Sequence, residues 1–215
     1  MSLPTPLYKL NAVQQQSVYE PSEDTFLLLD AIEKDIEKLR DSSPEIILEI
    51  GCGSGVVSVF LNKALGGGVT SLATDYNPDA LDCTLETGRL NDVKIEVVRT
   101  DLDNGLSHLE NKVDVLLFNP PYVPTKEKPK DNAERCWAGG PTGRDANEWF
   151  CNDGTTLIRI SQLLSCKGVF YLVALHSNNV PQLLTACPGM NGSVTMERRC
   201  GIEHLYIIKY TRKCL

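Results

Sequence analysis

One stretch constrains the fold more than any other. Ile46-Ile47-Leu48-Glu49-Ile50 is a short β-branched run, and Gly51-Cys52-Gly53-Ser54-Gly55 follows at once. Val56 to Leu61 then continues as an apolar segment able to form one face of a helix. Strand, glycine turn and helix in succession make the first unit of an α/β fold. The glycines permit a tight turn and close backbone approach to a ligand, with helix amides pointing at it. The spacing is Gly-x-Gly-x-Gly, not the Gly-x-Gly-x-x-Gly of a dinucleotide fold, and the absence of Gly-Lys-Ser/Thr excludes a P-loop. Glu49, just before the turn, argues against a phosphate and for a cationic ligand end such as an amino acid ammonium. A glycine turn that only tightens the strand–helix corner is the plainer alternative.

Three further apolar runs end in polar residues. Val69 to Thr74 ends in Asp75, which lies 24 residues after Gly51. That is near the roughly 20-residue separation at which an acid reaches a ribose in such folds; a turn and helix cap at Asp75-Tyr76-Asn77-Pro78 is the other reading. Ile95 to Thr100 ends in Asp101-Leu102, and Val113 to Phe118 ends in Asn119-Pro120-Pro121-Tyr122. The two prolines stop the last run, because proline cannot continue a ladder. Four strand ends thus carry Glu49, Asp75, Asp101 and Asn119, and ligands of open α/β sheets bind outside the carboxyl ends of the strands. The last tetrapeptide suits the holding of a flat, weakly nucleophilic NH2 group while a methyl is delivered to it. The asparagine oxygen and a proline carbonyl can each accept a hydrogen bond from that NH2, and the tyrosine ring can stack on the planar group bearing it. By itself the tetrapeptide is also compatible with a simple Asn-Pro turn.

Taken together, the motifs Tyr19-Glu20-Pro21-Ser22-Glu23-Asp24-Thr25, Glu49 to Gly55, Asp75 to Pro78, Thr100-Asp101-Leu102, Asn119 to Val123 and Trp137-Ala138-Gly139-Gly140 give the chain its resemblance. It resembles a class I S-adenosylmethionine-dependent methyltransferase, and more narrowly the HemK family of release-factor glutamine methyltransferases in its short eukaryotic and archaeal branch. The resemblance implies a Rossmann-like, seven-stranded, mostly parallel sheet of order 3-2-1-4-5-7-6, strand 7 antiparallel, with helices on both faces. It implies S-adenosylmethionine as cofactor, leaving as S-adenosylhomocysteine. Thr25, Glu49, Gly51, Gly53, Gly55, Asp75, Asp101, Leu102 and Asn119 are then its binding residues. Asp24 and Thr25 close over it, Asp75 holds the ribose, and the Asp101 side chain with the Leu102 backbone reads the adenine. Asn119, Pro120 and Tyr122 become catalytic, and Asn119, Pro121 and Tyr122 contact the substrate, a glutamine amide in the GGQ motif of a class I release factor. Histone lysine methylation and adenine amino-methylation of DNA or RNA are the alternatives. The resemblance also implies a heterodimer with a small zinc-binding activator protein, for which the edge strand 93–98 is the expected site. The N-terminal segment, residues 1–18, is the competing cover for that edge.

Composition fits one domain spanning residues 1–215, with residues 1–18 as an N-terminal extension too short for a separate recognition domain. The net charge of −7 gives no electrostatic footprint for nucleic acid. The eight cysteines show no Cys-x-x-Cys spacing and read as reduced thiols, and His108, His176 and His204 lack paired metal-ligand spacing. No signal peptide or membrane-length apolar run is visible, and the expected location is the cytoplasm, with the nucleus as second compartment. Pro21 to Arg40 reads as an amphipathic helix capped by Ser22, with Phe26, Leu27, Leu29, Ile32 and Ile36 facing the sheet. Strands are expected near 45–50, 69–74, 94–99, 113–118 and 168–175, then a hairpin of 193–200 and 204–210. The long loop between Val123 and Asn147 is expected to wall the substrate channel through Arg144, with a buried Trp137 as anchor. A helix break is expected at Asn152-Asp153-Gly154.

Overall fold

The computed structural model describes residues 3–126, 134, 137–140 and 155–213. Seven strands form one sheet: β1 (Ile46–Ile50), β2 (Thr70–Asp75), β3 (Glu96–Arg99), β4 (Val113–Phe118), β5 (Leu164–Leu175), β6 (Met190–Cys200) and β7 (Glu203–Arg212). Their order is β3-β2-β1-β4-β5-β7-β6. β1 to β5 are mutually parallel, and β7 runs antiparallel between β5 and β6. Around the sheet lie α1 (Gln14–Ser17), α2 (Glu23–Asp41), α3 (Val56–Ala64), α4 (Pro78–Leu90), α5 (Thr155–Gln162) and α6 (Val180–Leu183). The expected class I architecture is therefore present.

The central strands are apolar along their whole length because both faces are covered, as parallel sheets require. All six residues of β4 are buried. α2 starts after Ser22 and sets Leu27, Leu28, Leu29, Ile32 and Ile36 into the core; Leu28 belongs to that face too, while Phe26 is only partly buried. A buried polar tie fixes α2 on the sheet. Asp35 accepts from Tyr171 Oη of β5 at 2.9 Å and from Lys209 Nζ of β7 at 2.7 Å. Burial alone would raise the Asp35 carboxyl, but these hydrogen bonds and the Lys209 charge bring it below its ordinary range.

Several boundaries differ from the sequence expectation. β5 begins at Leu164, four residues early, and the hairpin strands are longer at their outer ends. β3 is shorter: Val93 N donates to Gly88 O at 2.9 Å, holding the chain on the end of α4, so pairing with β2 starts only at Glu96. Ile95 is buried in a small second core with Cys52, Val59, Ala73 and Leu81. The N-terminal segment lies along α2 and α4 and does not add a strand to β3. Leu3 N donates to Glu33, Leu7 exchanges two hydrogen bonds with the Asn91 side chain, and the Ser17 hydroxyl donates to Asp79. Cys52, Cys83, Cys166, Cys187 and Cys200 are free thiols. His176 and His204, distant in sequence, stack at 5.9 Å between centroids. The expectations placed on Arg144, on Asn152-Asp153-Gly154 and on the other three cysteines lie outside the described residues.

Candidate active site

The carboxyl ends of β1, β2 and β4 open into a cavity of about 460 Å³. The glycine turn forms its floor. Gly51 and Cys52 N both donate to Thr74 O, at 2.8 and 3.0 Å, which pins the turn to β2. Gly51, Gly53 and Gly55 all have positive φ (+70°, +50° and +76°), a backbone that side-chain-bearing residues rarely adopt. Their tasks differ. Gly51 and Gly53 line the cavity. Gly55 does not; it packs against α4, where a Cβ would sit 2.7 Å from Thr84 Cα.

Acids dominate the walls. Glu49 is buried and accepts from both the backbone N (3.0 Å) and the hydroxyl of Ser58. Burial, with a smaller contribution from the Asp75 charge, pushes its carboxyl up to about 8 against the pull of Ser58. Asp75 is also raised by burial, although the amides of Asn77, Gly53 and Tyr76 oppose the shift. Its Oδ1 accepts from Asn77 N at 2.9 Å and its Oδ2 from Gly53 N at 3.1 Å. With three amides on its two oxygens, the carboxylate keeps a lone pair for a hydroxyl donor. Asp101 is exposed at the end of β3, and Leu102 beside it has φ +51°, a strained value for leucine of the sort found at ligand sites. Asp24 and Glu203 complete the acidic lining, and no Lys or Arg lies among the described lining residues. Such a cavity favours a cationic, hydroxyl-bearing ligand. Its donor and acceptor set fits S-adenosylmethionine: Glu49 for the ammonium end and Asp75 for the ribose, with glycines where the ligand would lie against backbone.

At the end of β4, Asn119, Pro120, Pro121 and Tyr122 all line the same cavity. Asn119 Nδ2 donates to Asp24 Oδ2 at 3.0 Å, whereas Asn119 Oδ1 is buried with no hydrogen-bond partner. The Tyr122 hydroxyl donates to the same Asp24 oxygen at 2.7 Å, and its ring packs into the main core, leaving the residue 7% exposed. Burial and the Asp24 charge hold that phenol well above its usual range, so it stays protonated. Asn178, in the short helical turn just after β5, grips the tetrapeptide: its Nδ2 donates to Tyr122 O at 2.9 Å and its Oδ1 accepts from Leu175 N at 2.7 Å. Thr25, also in the wall, accepts from Ser22 N through its hydroxyl and donates its backbone N to Asp24 Oδ1 at 2.7 Å.

Trp137 departs from expectation. It is 42% exposed and lines the cavity, so it does not anchor the loop. The anchor is backbone: Val123 N donates to Trp137 O, Gly139 N to Val123 O and Thr125 N to Gly140 O, with Ala138 buried beneath. The sequence does not mark Tyr19, Asn178 or Glu203 as site residues, and it marks Asp24, with Thr25, only as closing over the cofactor, not as the partner of Asn119 and Tyr122. Tyr19 and Asp24 stand within a motif, but nothing local marks Asn178 or Glu203.

The chain matches the methyltransferase small domain family over residues 20–142. It is 44% identical to "Methyltransferase HEMK2" of Homo sapiens over 200 residues, 91% of this chain and 90% of that protein. It is 36% identical over 223 residues, 95% and 93% of the two chains, to "eRF1 methyltransferase catalytic subunit mtq2" of Schizosaccharomyces pombe. Among solved structures it resembles Mtq2 of E. cuniculi, determined as an Mtq2–Trm112 complex responsible for methylation of the eRF1 translation termination factor. That match has TM-score 0.65 and 27% identity, covering 92% of this chain and 99% of that one.

Proposed function

Because this chain belongs to the methyltransferase small domain family, we propose that it methylates the side-chain amide nitrogen of a glutamine in a translation termination factor, within the GGQ motif of a class I release factor. The observation that carries the reading is the buried, unpartnered Asn119 Oδ1 in the cavity wall. A buried acceptor left unmatched costs about 1–3 kcal/mol, and an NH2 donor relieves that cost. Relatives named for eRF1 methylation supply the substrate class.

S-adenosylmethionine, when bound, supplies the electrophilic methyl group. The chain's residues do the rest. Glu49 holds the ammonium end, Asp75 the ribose, and Asp101 with Leu102 the adenine, over the turn at Gly51 and Gly53. Asn119 Oδ1 and the Pro120 carbonyl accept the two amide N–H bonds and turn the nitrogen lone pair out of conjugation. Pro121 and the Tyr122 ring bound the space around the amide. The methylated nitrogen is acidic enough to lose its proton without a strong base, and catalysis is chiefly orientation and charge placement.

The partner is a small zinc-binding activator of the Trm112 kind, seated on β3. Support comes from β3's single pairing, with β2, among the described residues, from Val98, 41% exposed, and from Leu85 on α4, 45% exposed. The cytoplasm, where release factors act, is the proposed location, with the nucleus second, and residues 1–215 work as one domain. Incubating chain and activator with labelled cofactor and a release factor, then mapping the methyl by mass spectrometry, tests the reading. Methylglutamine in the Gly-Gly-Gln segment supports it; label found only on lysine or on adenine rejects it.

A further inference from the structure

We propose that Asp24 is the positioning residue that fixes which way the Asn119 amide faces. Asp24 is 3% exposed, and every hydrogen-bond partner around it is a donor. Its Oδ1 accepts from Thr25 N (2.7 Å), the Tyr19 hydroxyl (3.1 Å) and, more weakly, the Thr25 hydroxyl (3.3 Å). Its Oδ2 accepts from Asn119 Nδ2 (3.0 Å) and the Tyr122 hydroxyl (2.7 Å). A carboxylate offers acceptors only, so the group that Asn119 turns toward it must be the NH2. The amide oxygen is thereby forced to the other side, where it is buried and unpartnered in the cavity wall.

The chemistry of Asp24 therefore decides the amide orientation. A reversed amide would set an oxygen against a carboxylate and present an NH2 to the substrate's own NH2, repulsive at both ends. Tyr19 and Tyr122 reinforce the lock: burial and the Asp24 charge keep both phenols protonated, and so donating. The acceptor that the substrate meets is set before the substrate arrives, which is where preorganised catalysis gains its advantage. This role rests on the proposed reaction, but the orientation itself can be read without it.

The test is Asp24→Asn in the full chain with its activator. An asparagine can donate as well as accept, so both orientations of Asn119 become accessible. Turnover is expected to fall roughly 10- to 100-fold, a larger change than any in substrate KM or in cofactor Kd, the latter weakened by loss of one wall charge, an ordering that general loosening of α2 would not produce. In 1H–15N spectra of the wild type, one side-chain amide proton of Asn119, assigned by its loss in Asn119→Ala, should be shifted downfield and slow to exchange. Both features should vanish in Asp24→Asn. Wild-type turnover in a folded Asp24→Asn, or Asn119 signals unchanged by it, overturns the proposal. If the variant does not fold, the wild-type spectrum decides: a freely exchanging Asn119 NH2 overturns it as well. Absence of any methyl transfer by the wild type would refute the proposed function while leaving the spectral test of the lock intact.

Discussion

Replacing Asn119 by alanine separates chemistry from cofactor binding. Removing one positioned transition-state partner should lower turnover by at least about 100-fold, while calorimetric affinity for S-adenosylmethionine changes only modestly. Wild-type-like turnover would remove Asn119 from the mechanism. Glu49 gives a pH prediction. Its folded carboxyl titrates near 8 against an ordinary 4.5. Between those values the folded state keeps a proton that the unfolded chain has lost, so this residue's contribution to stability declines as pH rises from about 4.5 to about 8. A bound ammonium favours the charged form and expels that proton. Cofactor affinity should therefore tighten with pH over the same window, with proton release visible as a buffer-dependent heat, and Glu49→Gln should abolish both. Binding heats that do not depend on the buffer would show that Glu49 is not the ammonium's partner. The site was only partly legible at this scale. Glu49, Asp75, Asp101 and Asn119 announce themselves because each lies at or beside the end of an apolar run. Asp24 does not, since its decisive contacts span 95 and 98 positions and leave no local pattern.

The glycine turn, as an element, contains two kinds of glycine that the sequence cannot tell apart. Gly55→Ala forces a Cβ against the Thr84 backbone at positive φ and should cost about 2–4 kcal/mol of stability by chemical denaturation. Gly53→Ala meets nothing within 4 Å, so its cost is backbone strain alone, about 1 kcal/mol. Because Gly53 lines the cavity, its substitution should instead weaken cofactor binding. Equal losses of stability in the two variants would contradict this division. Strand existence and order were readable from apolar runs and the closing hairpin. Strand ends were less so, because β3 is trimmed by a contact with α4 and β5 is extended by its pairing with β4. These are tertiary decisions, which a local pattern does not carry. The Trp137 segment misled for a related reason: tryptophan is usually buried, yet a backbone ladder from Val123 fixes this loop and leaves the ring at the cavity wall.

At the scale of the molecule, the open side of β3 sets the next prediction. Ile95 is an unsuitable probe because it is buried in the small core that also holds Cys52 of the glycine turn. Val98 is exposed, so Val98→Asp should abolish co-purification with the activator while leaving cofactor affinity unchanged. A complex that survives this change would place the partner elsewhere. Expressed without the activator, the chain should be poorly soluble and weakly active. The strand order also bears on synthesis. β7 inserts between β5 and β6, and Phe170, Leu172 and Val173 of β5 are fully buried once it is in place. During translation β5 emerges before its antiparallel partner exists, so a strand of this apolarity must wait with one edge unpaired. Glu203, at the start of β7, also belongs to the cavity wall. A nascent chain released short of β7 is thus sticky and lacks part of the cavity wall, whereas a chain carrying β7 closes its sheet and completes that wall in the same event.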